Sequence, residues 1–281
     1  MVPSKILKKD LIEALAIQIK TNENLCEELE SEKRRCAELL EKNEKIDTIE
    51  KNLKNHIISV SQNTMKQIEA YLGLQSYLLG NTLPLKFHGW PISPDIALFI
   101  IQKIEVANYD LIIEFGSGTS TVLIAKAIEK NDKKHKTEFV TFEHNQKFYD
   151  LTSQSLVSQS VEKYADLTYS PLEEYTYGEK EFLYYTCEKK LKALAEKKHS
   201  KVLVLVDGPP GATGPLARFP ALPYLLKYFS EETIHLILDD YIRDEEKEIS
   251  RMWEKILKEK NISFQSDSIP TEKGLYYCEI N

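Results

Sequence analysis

Asp110-Leu-Ile-Ile-Glu114-Phe-Gly116-Ser-Gly118-Thr-Ser-Thr121 is the stretch on which the reading of this chain turns. Apolar residues lead to a carboxylate, Glu114. The chain then passes through Gly116-Ser117-Gly118 into Thr119-Ser120-Thr121 and a helical pattern, Val122 to Glu129. This predicts a strand, a tight turn and the start of a helix. Glycine tolerates positive φ and lets a ligand approach the backbone closely. The hydroxyl residues suit a helix cap, with the free N–H groups of the first turn facing the ligand. Such a turn, at the carboxyl end of the first strand of an open α/β sheet, is where nucleotide-like cofactors bind. The plainer alternative is a strand-to-helix turn that binds nothing.

Downstream the alternation repeats. Strand patterns fall at 110–115, 138–143, 166–169, 202–207, 234–239, 262–267 and 275–280, and helical ones near 122–130, 146–158, 187–197, 219–229 and 244–259. Pro270-Thr-Glu-Lys-Gly274 is too short a link for a parallel crossover, so the last two strands are expected to pair as an antiparallel hairpin. The whole predicts a doubly wound α/β sheet with its ligand at the strand carboxyl ends. Upstream, Thr64 to Leu79 reads as a helix that Gly80 to Pro84 breaks, and Phe87 to Pro94 reads as an ordered loop. Ser93 suits the cap and Pro94 the first turn of the helix that follows.

Residues 5–62 have a different character: no glycine, dense Glu, Lys and Asn, and apolar residues at heptad spacing. With Leu11 at d, the later d positions are Gln18, Leu25, Glu32, Leu39, Ile46, Leu53 and Val60. The a positions are Leu15, Asn22, Leu29, Cys36, Asn43, Glu50 and Ile57. An apolar d column beside a half-polar a column predicts an imperfect coiled coil and a homo-oligomer. The alternative is a long solvated helix packed back on its own domain. The chain thus divides into a coiled-coil helix (1–62), a helix with a lid or linker segment (63–93) and a cofactor-binding domain (94–281).

The 281 residues carry a formal charge of −7, which argues against nucleic acid as a partner. At 42% hydrophobic the chain can bury a core, and its mean hydropathy of −0.38 describes a soluble protein. No run approaches the roughly 18 apolar residues of a membrane span, and the first residues show no signal-peptide core. Cys26, Cys36, Cys187 and Cys278 have no metal-finger spacing, so reduced thiols in the cytoplasm are expected.

Glu114 to Thr121 resembles the first motif of class I S-adenosylmethionine-dependent methyltransferases. More narrowly, Gly89-Trp-Pro-Ile-Ser-Pro-Asp95, Leu205-Val-Asp-Gly-Pro-Pro-Gly211, Ala217-Arg-Phe-Pro-Ala-Leu-Pro223 and Leu238-Asp-Asp-Tyr-Ile-Arg243 are similar to a bacterial subgroup associated with glycans or secondary metabolites. The resemblance covers roughly residues 80–281. It implies a seven-stranded Rossmann-like sheet in the order 3-2-1-4-5-7-6, with S-adenosylmethionine as cofactor. The rival, a nicotinamide dinucleotide, wants a third glycine where Thr121 stands. On this resemblance the cofactor-binding residues are Glu114, Gly116, Ser117, Gly118, Thr119, Ser120, Thr121, Glu143, His144, Leu172 and Asp207, with Trp90 in a lid. Glu143, ending the second strand, can accept hydrogen bonds from both ribose hydroxyls.

The fourth strand is apolar throughout, as burial on both faces demands, and ends at Asp207; the fifth ends at Asp239-Asp240. Three clustered carboxylates repel one another and need a cation or a proton to coexist. Arg243 is one answer. A Mg²⁺-like ion held by Asp207, Asp239 and Asp240 is another, as in the metal-dependent O-methyltransferases that the arrangement resembles. Those usually carry Asn or Gln among the ligands, where this chain has Asp240. Asp207, Asp239, Asp240 and Arg243 are the catalytic candidates, Asp207 as general base on a hydroxyl acceptor. Arg218 suits an anionic substrate clamp or a structural ion pair, and the tyrosine-rich stretch 175–185 an acceptor site or a plain loop. The expected activity is methyl transfer to an oxygen of a small molecule or glycan. The alternatives are a non-catalytic coiled-coil assembly or sensor protein that keeps the cofactor domain, and a dehydrogenase.

Overall fold

The computed structural model describes residues 4–78, 85, 87, 91–131 and 136–281. Helix α1 runs over Ser4–Tyr77 without the interruption expected near residue 63, because Ser61-Gln-Asn-Thr64 holds neither glycine nor proline to stop it. Contacts nevertheless divide the chain into residues 1–62 and 63–281. In the first unit every side chain from Lys8 to Gln62 is exposed.

The second unit opens with the end of α1, whose Ala70 and Leu74 are buried, then α2 (Pro94–Val106), β1 (Leu111–Phe115), α3 (Thr119–Asn131) and β2 (Glu138–Glu143). Next come α4 (Gln146–Ser158), β3 (Asp166–Tyr169), β4 (Leu172–Tyr177), β5 (Lys180–Tyr185) and α5 (Glu188–Ala195). The chain finishes with β6 (Lys201–Val206), α6 (Ala221–Tyr228), β7 (Thr233–Asp239), α7 (Asp244–Glu259), β8 (Phe264–Ile269) and β9 (Leu275–Ile280).

Seven strands form one sheet in the order β3-β2-β1-β6-β7-β9-β8. The first five in that row are parallel, and β9 runs antiparallel to β7 and to β8. Counted along the chain this is the expected 3-2-1-4-5-7-6. Alternate side chains feed two apolar layers, as the pleat requires. Ile113, Phe115 and Val204 join α5, α6, α7 and β5 on one face, while Ile112, Leu203 and Leu205 join α2, α3 and Leu74 on the other.

The tyrosine-rich stretch is not a loop. β4 and β5 pair as a separate antiparallel hairpin that turns at Gly178 (φ +61°). Tyr184 and Tyr185 are fully buried against Phe115, and Phe182 stacks on Phe219 with ring centroids 4.9 Å apart. Asp95, buried at the start of α2, ties three elements together. It accepts from Ser93 Oγ (2.6 Å) and Glu272 N (3.0 Å) and pairs with Lys66 of α1 at 3.2 Å.

Candidate functional site

Register builds the site. Phe115 lies opposite Phe142 and Val206, and Val206 lies opposite Leu238. The next residue of each strand therefore falls in one row: Glu143, Gly116, Asp207 and Asp239, at the carboxyl edge of β2, β1, β6 and β7. That edge is where ligands bind in open α/β sheets.

Gly116 has φ +99°, and a side chain there would meet Gly208 N at 3.0 Å. The turn needs glycine twice over, for its backbone sign and for the close approach of the β1 and β6 ends. A side chain on Gly118 would meet nothing within 4 Å, so open space adjoins that residue. α3 begins at Thr119, with Gly118 before it, but the helix-start hydroxyls do not simply cap it. Thr121 Oγ1 accepts from Gly118 N (2.9 Å) and donates to Glu114 Oε2 (2.6 Å), fastening helix, turn and strand to one another. Ser120 is buried beside it and Thr119 half-buried.

Glu114 is fully buried. Burial pushes its carboxyl up to about 7, against the pull of the Ser120, Thr121 and Thr141 hydroxyls. Its Oε1 has no hydrogen-bond partner among the described residues. Glu143 goes the other way. Burial raises it, but hydrogen bonds from His144, Asn145 and Ser117 together hold it below the usual carboxylate range. Ser117 donates through N (3.1 Å) and Oγ (3.0 Å), Asn145 through N (2.8 Å), and His144 Nδ1 lies 3.2 Å away. The β2 end is thus a pre-organised anion, and the glycine turn is bonded to it. Leu172 sits in β4, opposite Tyr185, and packs against the apolar layer. Trp90 and His88 lie outside the described residues.

At β6 and β7 the three acidic residues come together, with carboxylate oxygens of Asp207, Asp239 and Asp240 all within 4.8 Å of one another. Burial and the charge of Asp239 push Asp207 well above its ordinary range, while burial and Asp240 push Asp239 up to about 6. Asp240 has φ +60°, and its N donates to Asp239 Oδ1 at 2.7 Å. The cation at the centre is Arg218, the residue that sequence reasoning left outside the catalytic candidates. Its Nη2 donates to Asp240 Oδ2 (2.9 Å) and to the Asp207 carbonyl (3.0 Å), and lies 3.4 Å from Asp207 Oδ1. Nη1 donates to the Asp239 carbonyl (3.0 Å) and faces Glu246 Oε1 at 3.8 Å. Burial works against the Arg218 charge, but Asp207, Asp240, Asp239 and Glu246 outweigh it and hold it more firmly protonated than usual. Arg218 is 4% exposed, so it serves the acidic cluster and is no surface clamp for an anionic substrate. Arg243 Nη1 also meets Asp240 Oδ2 (3.0 Å) and Glu246 Oε1 (3.6 Å), from a half-exposed position.

Sequence reasoning missed Glu246 here, and held Tyr185 only as one member of the aromatic stretch 175–185. Glu246 sits two residues into the acidic first turn of α7, Asp244-Glu-Glu, and is buried where its neighbours are not. The Tyr185 hydroxyl lies 2.1 Å from where a Cβ on Gly208 would be, and it has no hydrogen-bond partner among the described residues. Gly208 is the first glycine of the Gly208-Pro-Pro-Gly211 loop because the hairpin fills its side-chain space.

An all-oxygen donor set is what Mg²⁺ takes, so the carboxylate cluster fits such an ion chemically. Arg218 already supplies positive charge to the same group. The glycine turn, the orphaned Glu114 Oε1 and the Glu143 carboxylate fit a ligand bearing a cationic amine and hydroxyl donors.

No protein-family model matches the sequence, and no curated protein matches it. Solved structures do match. The SAH-bound methyltransferase PaMTH1 of Podospora anserina aligns with 79% of this chain and 95% of its own, at 12% identity and a TM-score of 0.50. The O-methyltransferase of Bacillus cereus in complex with SAH covers 76% of this chain and 90% of its own, at 15% identity and a TM-score of 0.48. TomG, an O-methyltransferase of Streptomyces achromogenes solved with SAM, covers 76% and 89%, at 12% identity and 0.48. The fold is that of the class I methyltransferases. Within that fold, the row Glu143–Gly116–Asp207–Asp239 lies at the edge where the sheet reverses its winding, between β1 and β6. Identity this low speaks for the fold; the chemistry rests on the side chains at that edge.

Proposed function

We propose that the chain binds S-adenosylmethionine at the β1–β2 edge and transfers its methyl group to an oxygen nucleophile of a small molecule or glycan. The observation that carries this reading is the single row of Glu143, Gly116 and Asp207, with unfilled hydrogen-bonding capacity at Glu114 behind it. S-adenosylmethionine supplies, when bound, an electrophilic methyl group on a sulfonium. Glu143 holds the ribose hydroxyls, Glu114 faces the cationic end, and the turn Ser117 to Thr121 lets the ligand close on the backbone. His144, Leu172 and Trp90 belong to the same pocket in this reading. Asp207, made more basic by burial and by Asp239, accepts the proton of the acceptor hydroxyl. Asp239, Asp240, Arg218 and Arg243 fix its position and charge. Positioning of the acceptor dominates such an in-line displacement.

A divalent cation is the second reading for the acidic cluster, favoured by the proximity of its oxygens. Asp207, Asp239 and Asp240 would hold it, and it would lower the pKa of an acceptor hydroxyl. Methyl-tritiated S-adenosylmethionine, offered with a panel of catechols, phenols and sugars, tests the activity. Labelled product should form, fall about 100-fold or more with Asp207→Asn, and persist in EDTA if Arg218 alone balances the cluster. Unchanged turnover in Asp207→Asn with a true acceptor would remove the base from Asp207.

The alternative, an assembly or sensor protein, draws on the exposed apolar heptads of residues 11–60. It predicts cofactor binding without turnover of any acceptor. In either case we infer that these heptads associate with another copy of the chain. Among the described residues no helix is long and apolar enough to cross a membrane. The four free cysteines fit a reducing compartment, the cytoplasm.

A further inference from the structure

We infer that residues 11–60 pair with a second copy of this chain as a parallel coiled coil in register. The inference rests on the self-association proposed above and adds its direction and alignment. The helix is continuous through these residues, and Leu11, Leu15, Leu25, Leu29, Leu39 and Leu53 of its a and d columns are each more than half exposed. A leucine seam of this length left in water is the signature of an unfilled interface.

The polar residues decide the direction. In a parallel pair each a residue meets its own copy, so Asn22 faces Asn22 and Asn43 faces Asn43, and each side-chain amide can both donate and accept. The g residues are Ala14, Thr21, Glu28, Arg35, Lys42, Ile49 and His56, and the e residues Ile12, Ile19, Cys26, Lys33, Leu40, Asp47 and Lys54. A g residue then meets the following e residue of the other chain. That sets Glu28 against Lys33 and Lys42 against Asp47, two attractive pairs with no like-charged pair along the flanks, while in the seam Glu32 and Glu50 each meet their own copy. The full-length antiparallel alignment, Leu15 opposite Leu53, sets Glu32 on Cys36, Glu50 on Gln18 and Glu28 beside Lys42, but it loses both amide pairs. It places Lys33 on Lys33 and Arg35 on Arg35 at the centre, and buries Asn22 against Ile46 and Asn43 against Leu25. Unpaired amides in an apolar seam and like charges at its middle both disfavour it.

The test uses the full chain with Cys26→Ser and Cys36→Ser; Cys187 and Cys278 are buried and stay. Leu15→Cys or Leu53→Cys is added singly, and each protein is oxidised in air with copper(II)-phenanthroline. Two copper(II) ions take the two electrons of each disulfide, two protons pass to the buffer, and dissolved oxygen reoxidises the copper. Light scattering before oxidation gives the mass. The proposal expects a mass of two chains and a covalent dimer from each single variant. In an antiparallel pair positions 15 and 15 lie roughly 55 Å apart along the helix, so a mass of two chains without cross-linking overturns the orientation alone. A mass of one chain overturns the self-association with it.

Discussion

Glu114 carries a pH dependence that can be isolated. Its carboxyl sits at about 7 in the fold against 4.5 when free, because burial penalises the charge. The neutral acid is therefore the form the fold prefers, and its contribution is lost as pH rises from about 4.5 to about 7. Glu114→Gln should flatten that segment of the stability–pH curve and gain on the order of 3 kcal/mol at pH 8, measured by urea denaturation without ligand. An unchanged slope would place the ionisation elsewhere. Gly208 gives a packing prediction at the same scale. Gly208→Ala pushes a methyl into the Tyr185 hydroxyl, the end of a ring buried on all sides, at a cost of about 1–3 kcal/mol. Adding Tyr185→Phe should restore part of that loss in thermal melts; no recovery would mean that the backbone, not the hydroxyl, is the obstacle.

Between elements, Arg218 is the keystone. It comes from the segment before α6 and bonds the ends of β6 and β7 and, through Glu246, the start of α7. Arg218→Met leaves Asp207, Asp239 and Asp240 without their buried counter-charge, and about 3–5 kcal/mol of stability should go with it at pH 8. The variant's deficit should shrink toward pH 5, where Asp207 and Asp239, both raised, take up protons and need the arginine less. A deficit independent of pH would mean that packing, not charge, is lost. Strands β1, β2, β3 and β9 and helices α4 and α7 were legible within a residue, from the regular alternation of strand and helix patterns along the chain. Arg218 was not, because burial of a charged side chain depends on the partners that converge from distant strands. The β4–β5 hairpin escaped for a related reason: its Tyr and Phe alternation reads as loop aromatics until Phe219 and Phe115 are known to lie beneath it.

Across the molecule, the sheet order followed from the repeat of strand and helix with a short final turn, which leaves few topologies open. The site followed less completely. The row Glu143–Gly116–Asp207 was foreseeable because each residue directly ends or follows an apolar run, whereas the identity of the methyl acceptor depends on loop side chains that no local pattern encodes. The central claim is that this row binds S-adenosylmethionine, and titration calorimetry on the full chain tests it most directly. The account predicts a saturable heat for one S-adenosylmethionine per chain that Glu143→Ala abolishes while the melting transition remains cooperative. No heat at millimolar S-adenosylmethionine, or an undiminished heat in Glu143→Ala, would contradict it.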